Sequence, residues 1–322
     1  MVSLSDIQNA RKTISDALMS TPMFSASRLG EASGGIELFL KAESLQKTGS
    51  FKPRGALNLI RNTPADELGR GVITISAGNH AQGVAWAAGA AGVNATIVMQ
   101  STASPTKIAA TRGYGADVVL IDGTISEAFE ELHRLKDERS LTLIHPFDDP
   151  LLIAGHGTVG LEIVEQVPDV DVIVCPIGGG GLISGVATAA KALKPDVRIY
   201  GIEPAGAPAM RKSWDAGSAQ QLDSVDTIAD GLAPPMVGKL NYELTRQFVE
   251  DIIIVDDTEI AIAMREIMIN AKLYAEPGGA AATAALLAGK VPTNPGDTVV
   301  SVLSGGNLDI SKMLDVIGKL PE

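Results

Sequence analysis

Short runs of aliphatic and β-branched residues recur along this chain, and alanine-rich helical stretches lie between most of them. That alternation restricts the fold more than any other feature. The runs fall at 36–43 (IELFLKAE), 71–76 (GVITIS), 95–100 (ATIVMQ), 117–122 (DVVLID), 142–146 (TLIHP), 170–177 (VDVIVCPI), 197–203 (VRIYGIE), 251–256 (DIIIVD) and 297–303 (DTVVSVL). Helical segments fit at 79–92, 104–113, 125–138, 151–166, 182–193, 258–273, 278–288 and 309–318. Many of the apolar runs show no in–out alternation, as expected of strands covered by helices on both faces. The order predicts an α/β architecture built on parallel sheets. A length of 322 residues suggests two domains, and no repeat, low-complexity tract or long linker marks a boundary. In such sheets ligands gather at the carboxyl ends of strands, where loops run into helix N-termini.

Charge narrows the partners. Lys and Arg number 26 against 38 Asp and Glu, a net charge of −12, which argues against nucleic acid or an anionic membrane. A local cationic pocket can still take a small anionic substrate. No apolar segment approaches the roughly 18 residues of a membrane helix. The first residues, MVSLSDIQNARKTISDALMS, lack the charged start and unbroken apolar run of a signal peptide, so the cytoplasm is the expected location. The single cysteine, Cys175, has no partner for an internal disulfide and lies in a buried-strand pattern, which makes it a core residue rather than a nucleophile. Abundant glycine (34) with few aromatics (4%) favours close helix-on-sheet packing.

Three strand ends carry residues suited to chemistry. Gly178–Gly181 (GGGG) follows the run at 170–177 and precedes a helix, so successive N–H groups and a helix N-terminus can face one phosphate. A tight βα turn explains the same glycines. Ser76-Ala77-Gly78-Asn79-His80 follows the run at 71–76, and its donors beside free helical N–H groups make a second small anion site. Ser76 and Asn79 are also ordinary helix-start residues, and His80 can be structural. Ser304-Gly305-Gly306-Asn307 closes the run at 297–303.

Upstream, SLQKTGSFKPRGALN (44–58) places Lys47, Lys52 and Arg54 close together. Pro53 favours a helix start, which puts Lys52 at the positive end of the helix dipole. A lysine disfavoured as a cation suits Schiff-base chemistry, although a surface lysine with a solvated head is the commoner fate. Lys47 belongs in a solvated loop, and Arg54 cannot form an imine. A lysine, a phosphate cradle and a carboxylate site together fit pyridoxal phosphate and an amino-acid substrate.

At this point the motifs become recognisable. KTGSFKPRGALN, SAGNHAQGVA, IAGHGTVGLEI, GGGGLISG, TIADGL, EPGGAA and LSGGNLD follow in order over nearly the whole chain. Together they resemble the serine/threonine dehydratase (threonine ammonia-lyase) and serine racemase group of fold-type II pyridoxal-phosphate enzymes. The resemblance implies two parallel-sheet α/β domains of tryptophan synthase β-like architecture. A small mobile domain would span 71–148 and a large cofactor-binding domain 1–70 and 149–322, with a homodimer or homotetramer as the assembly. Lys52 is implied as the lysine bonded to the cofactor aldehyde, with Phe51 packed on its ring. Gly178, Gly179, Gly180, Gly181 and Leu182 are implied as the phosphate loop, and Asn79 as partner of the 3′-oxygen. Ser76, Asn79 and His80 correspond to the loop holding the substrate carboxylate. Ser304 corresponds to the partner of the pyridine nitrogen, and Glu276 lies near the ring.

The implied activity is conversion of a small β-hydroxy amino acid, threonine or serine, to a 2-oxo acid and ammonia. The rival readings are a dehydratase of 3-hydroxyaspartate or another β-hydroxy amino acid, a racemase-like enzyme, and a non-catalytic cofactor- or nucleotide-binding protein. Two positions depart from the family pattern. Ala77 stands where the racemase has an acid/base serine. In the divalent-cation site of relatives, Glu203 and the Ala207 carbonyl would be ligands, but the third, acidic position is Ala209, so weak metal dependence is expected. The chain stops soon after SGGN, which suggests a short form without a regulatory domain.

Overall fold

The computed structural model describes residues 1–320. Ten strands form two sheets: β1 Met23–Ser25, β2 Glu37–Ala42, β3 Val72–Ile75, β4 Ala95–Gln100, β5 Asp117–Ile121, β6 Thr142–Leu143, β7 Val172–Pro176, β8 Arg198–Pro204, β9 Asp251–Val255 and β10 Thr298–Leu303. The larger sheet runs β1-β2-β10-β7-β8-β9 and the smaller β5-β4-β3-β6. Every pairing is parallel except β1 against β2. Each run read as a strand forms one, so the α/β expectation holds.

The covering of both faces is visible residue by residue. In β7, Val172 and Val174 join one core with Leu38, Leu40, Val299 and Ala281, while Ile173 and Cys175 join another with Ile183, Ile199, Val300 and Val302. Cys175 is fully buried, and burial pushes its thiol pKa up, as befits an unreactive core residue. A third core binds the helices Lys52–Asn62 and Asn79–Ala90 to β3 and β4 through Leu57, Ile60, Val72, Val84, Ala88 and Ile97.

Several departures from the sequence reading have local causes. β1 is a three-residue antiparallel edge, too short to produce a hydrophobic run. β6 stops at Leu143 rather than 146, because His145 Nδ1 accepts the N–H groups of Phe147 (3.3 Å) and Asp148 (2.8 Å) and turns the chain. The helix expected at 258–273 ends at Glu266, continues as a π-helical turn over Ile267–Ala271, and closes on Lys272 at φ 58°. The N-terminal helix Leu4–Ile14 was not foreseen, although Ser3 and Asp6 form its capping box.

Two features set where Lys52 sits. Helix Lys52–Asn62 packs on helix Pro150–Gln166 so closely that a Cβ at Gly155 would lie 2.4 Å from the Arg54 carbonyl oxygen. Arg54 itself is fully buried. Its Nε and Nη2 donate to Glu43 (2.7 and 2.9 Å), and its Nη1 and Nη2 donate to Glu162 (2.6 and 2.9 Å). Lys41, also buried, donates to Glu162 at 2.6 Å and to the Thr21 carbonyl at 2.7 Å. Burial works against the Arg54 charge, but Glu43 and Glu162 more than offset it and hold the guanidinium ionised.

Arg54→Met would leave Glu43 and Glu162 short of a buried partner. The expected result is a loss of about 3–5 kcal/mol of unfolding free energy, read as a lower midpoint in urea.

Candidate active site

The end of β10 fixes the start of the helix that carries Lys52. Ser50 forms an antiparallel bridge with Gly305, and the Phe51 N–H donates to the Ser304 carbonyl at 3.1 Å. Lys52 is the first residue of helix Lys52–Asn62, with Pro53 in the first turn. Its Nζ donates to the Pro146 carbonyl at 3.1 Å and lies 5.1 Å from the centre of the Phe51 ring. Some Lys52 surface remains accessible, yet protein atoms enclose the ammonium, and burial lowers its pKa from 10.5 to about 8. The other two cations have different fates. Lys47 is exposed on a 3₁₀ turn, and Arg54 is locked in the buried ion network.

Three of the four histidines in the chain stand near Lys52. His80 Nε2 is 3.1 Å from Thr74 Oγ1, so its ring turns into the sheet and leaves its backbone N–H for the Ser76–Asn79 turn. His145 shapes the turn after β6. His156 packs edge-on to Phe51, with ring centres 4.7 Å apart. Burial, with Lys52 as a further contributor, lowers the pKa of all three, so they are neutral imidazoles at neutral pH. Sequence reasoning missed His145 and His156. Their signal lay in the HPFDDP and IAGHG segments, where a polar ring interrupts apolar or glycine-rich stretches.

Gly178–Gly181 joins β7 to helix Gly181–Leu193, and Gly180 adopts φ +96°. No side chain caps this helix, so the first-turn N–H groups of Gly181, Leu182 and Ile183 are free for an anion. A side chain at Gly179 would collide with Phe147, its Cβ falling 2.2 Å from the ring. Buried Asn241 donates to both the Gly179 and Phe147 carbonyls at 2.9 Å, and Asp148 accepts from Lys239 N (3.0 Å) and Leu240 N (3.2 Å). The 145–149 turn thus supports the glycine loop on one side and Lys52 on the other.

The remaining loops meet at Asn79. Its Nδ2 donates to Glu276 (2.5 Å) and its Oδ1 accepts from Asn307 (2.7 Å), which also donates to the Thr48 carbonyl at 2.6 Å. Burial, with Asp230 adding, raises the Glu276 pKa to about 7. Ser304 is buried, and its hydroxyl donates to the Gly278 carbonyl at 3.3 Å. Ser76 Oγ accepts from Gly78 N at 3.1 Å, and helix Asn79–Ala90 begins without a side-chain cap. Ala77 is exposed on a cavity of about 380 Å³, whose lining includes Ser104, Lys107, Asp230, Leu308 and Asp309. Lys107 pairs with Asp230 at 2.6 Å, and Ser104 donates to Asp309 at 2.8 Å.

Glu203 and Ala207 are not part of this cluster. Glu203 accepts from Met210 N (2.7 Å) and Arg211 N (2.8 Å), so both its oxygens cap helix Ala209–Ala216, and the Ala207 carbonyl accepts from Ala209 N at 3.0 Å. Among the described residues, no group of three or more His, Cys, Asp or Glu is placed to hold a metal ion. No helix among them is long and apolar enough to cross a membrane.

The donor set fits pyridoxal phosphate. An uncapped helix behind four glycines suits its phosphate, and a lysine that deprotonates near pH 8 suits its aldehyde. Comparison with known proteins agrees. The chain is 44% identical to the L-threonine ammonia-lyase of Thermotoga maritima over 319 residues, covering 99% of this chain and 79% of that one. The structure of maize serine racemase superposes with a TM-score of 0.93 at 38% identity, covering 99% of this chain and 97% of that one. The processed form of threonine deaminase isoform 2 from Solanum lycopersicum gives 0.93 at 37% identity, covering 98% and 92%. A family model described as pyridoxal-phosphate dependent enzyme matches residues 14–305, and the chain belongs to that family.

Proposed function

We propose that this enzyme is a dehydratase (ammonia-lyase) that converts threonine or serine to the 2-oxo acid and ammonia. The observation that carries the reading is the place of Lys52, a lysine with its pKa lowered to about 8 between an uncapped glycine-loop helix and the Ser76–Asn79 turn. The names of relatives at 44% and 37% identity support the same chemistry.

The cofactor, when bound, supplies the electron sink that makes the α-proton of an amino acid acidic. The N–H groups of Gly178, Gly179, Gly180, Gly181 and Leu182 would hold its phosphate, and Phe51 would pack on its ring. Asn79 has one Nδ2 proton committed to Glu276 and its Oδ1 committed to Asn307, which leaves the second Nδ2 proton for the 3′-oxygen. The hydroxyl of Ser304, turned from the Gly278 carbonyl, would donate to the ring nitrogen. Unlike a carboxylate, it cannot stabilise a proton there, so electron density at Cα stays available to expel the β-hydroxyl. Ser76 and the free N–H groups at Asn79 and His80 would orient the substrate carboxylate. Lys52 Nζ, in the form that has lost its own proton, takes the α-proton. The β-hydroxyl departs and, with a proton equivalent to the one taken from Cα, leaves as water; hydrolysis of the resulting enamine releases ammonia.

Motion of 71–148 against the remainder, assembly as a homodimer or homotetramer, and residence in the cytoplasm belong to the same proposal. Support for the first is that the smaller sheet lies wholly within 72–143. Sedimentation velocity tests the assembly, and cell fractionation the location. Chelation is expected to leave turnover unchanged, because both oxygens of Glu203 serve a helix cap; activity lost in chelator and restored by magnesium or calcium would count against this.

Borohydride reduction of the holoenzyme followed by peptide mapping should place the pyridoxyl group on Lys52, and recovery on Lys47 would overturn the assignment. In cofactor-free protein, acylation of Lys52 should rise with pH about a midpoint near 8, because the reactive amine appears only as the ammonium loses its proton. A midpoint near the ordinary 10.5 would show that burial does not act on it.

The resemblance to a racemase directs a second test to Ala77. Racemisation removes a proton from one face of Cα and returns one to the other. Tethered Lys52 serves a single face, and the methyl group of Ala77 has no proton to exchange. Ala77→Ser is expected to add measurable L-to-D serine conversion while dehydration persists, measured by chiral chromatography with deuterium uptake from heavy water. Efficient racemisation by the unaltered protein would defeat this reasoning.

A further inference from the structure

One amide in the loop after β10, that of Asn307, joins three segments of the site. Its Nδ2 donates to Asn79 Oδ1 at 2.7 Å and to the Thr48 carbonyl at 2.6 Å. Asn79 Nδ2 in turn donates to Glu276 at 2.5 Å. Asn79 opens helix Asn79–Ala90 beside the smaller sheet, whereas Thr48 stands in the turn that leads into Phe51 and Lys52.

These bonds run in one direction. A carbonyl oxygen has no proton to give, so Thr48 obliges Asn307 to turn its NH₂ group toward it. Packing sets the other edge of the amide. Gly49 adopts φ +71°, and a Cβ there would lie 2.5 Å from Asn307 Oδ1, so that oxygen rests against bare backbone. The second Nδ2 proton goes to Asn79 Oδ1, which leaves Asn79 Nδ2 to face the other way. Glu276 alone does not decide this. Burial raises its pKa to about 7, so near neutral pH it is part acid and part carboxylate and can meet either end of an amide. A flipped Asn79 would set its Nδ2 against that of Asn307, two donors with no acceptor between them.

We propose that Asn307 is a positioning residue: its amide, oriented by the Thr48 carbonyl, holds Asn79 with Nδ2 toward the cofactor and so sets the hydrogen bond to the cofactor's 3′-oxygen. This rests on the reading of Asn79 as the partner of that oxygen. The same loop is sewn to the 48–50 turn by Gly306 N, which donates to the Gly49 carbonyl at 2.9 Å, and by the bridge between Ser50 and Gly305. The donor to the 3′-oxygen and the amine that meets the neighbouring aldehyde are thereby held to one stretch of backbone.

Binding of pyridoxal phosphate and of its 3-deoxy analogue, which lacks that oxygen, separates positioning from packing. Both are titrated into the cofactor-free protein and read by borohydride trapping on Lys52. Asn307→Ala is expected to weaken pyridoxal phosphate by about three- to ten-fold, the worth of one hydrogen bond. It should leave the analogue within about two-fold of the unaltered protein. Asn79→Ala should lose the same preference, and adding Asn307→Ala to it should change neither ligand by more than about two-fold, since no amide is left to orient. Neutron diffraction from deuterium-exchanged crystals of the unaltered holoenzyme should show the Asn307 Nδ2 deuterons on the Thr48 carbonyl and Asn79 Oδ1. It should also show an Asn79 Nδ2 deuteron aimed at the 3′-oxygen. That measurement decides the matter even if Asn307→Ala does not fold. Equal weakening of both ligands, no weakening of either, effects of the two substitutions that simply add, or an Asn79 amide with Oδ1 toward Glu276 would each overturn the proposal. If Asn79→Ala leaves the preference for pyridoxal phosphate over the analogue unchanged, the reading of Asn79 itself falls, and this inference with it.

Discussion

The buried guanidinium of Arg54 is the interaction on which the rest of the site depends. It donates to two carboxylates, Glu43 just after β2 and Glu162 on helix Pro150–Gln166, and Lys41 shares the second. Two cations and two carboxylates balance one another where solvent cannot. Such a cluster contributes little net stability against an apolar replacement, but its planar, two-pronged geometry tolerates few arrangements. Here it fixes the rotation and height of the helix whose first residue is Lys52. The three neighbouring cations of the sequence thus divide the work: Lys47 meets water, Arg54 sets position, and Lys52 is left as a lysine without a carboxylate partner.

That division explains how a chain of net charge −12 builds sites for anions. Around Lys52 the histidines are neutral, and the Arg54 charge is cancelled by its own partners. Positive potential comes instead from the uncapped starts of helices Asn79–Ala90 and Gly181–Leu193. Backbone dipoles hold a fixed direction and do not titrate, so the potential persists while Lys52 changes protonation. A lysine can be held near its neutral form only where no carboxylate sits opposite, and the nearby Glu276 is itself raised to about 7 by burial.

The legible parts of this protein were those written locally. Continuous apolar runs gave away strands buried on both faces, and Pro53 with the four glycines marked two helix starts at the site. β1 was hidden because three residues carry no period. The turn at 145–149 was hidden because the apolar TLI continues into it without a break, and its role depends on contacts with Asn241 and Lys52. Arg54 was read only as a residue that cannot form an imine, and its buried ion network stayed hidden because its partner Glu162 lies 108 residues away. Glu203 entered only through the resemblance, with weak metal dependence expected, and the bonds its two oxygens accept from Met210 N and Arg211 N were not readable in the sequence. His156 could not be singled out because its close packing against Gly55, Gly181 and Phe51 arises only in the fold.

The close crossing of helices Lys52–Asn62 and Pro150–Gln166 has a consequence for how such a protein can change over generations. A first methyl group at Gly55 would strike His156, and one at Gly155 would strike the Arg54 backbone, both at 2.4 Å. Neither position can drift alone, because the neighbour that must yield is a ring sealed in the interior or a peptide unit. Any lineage that alters residue 156 must do so inside a slot whose walls are already set. Change is thereby channelled away from this seam and toward the cavity beside Ala77, whose lining includes the exposed Ala77 and Asp230.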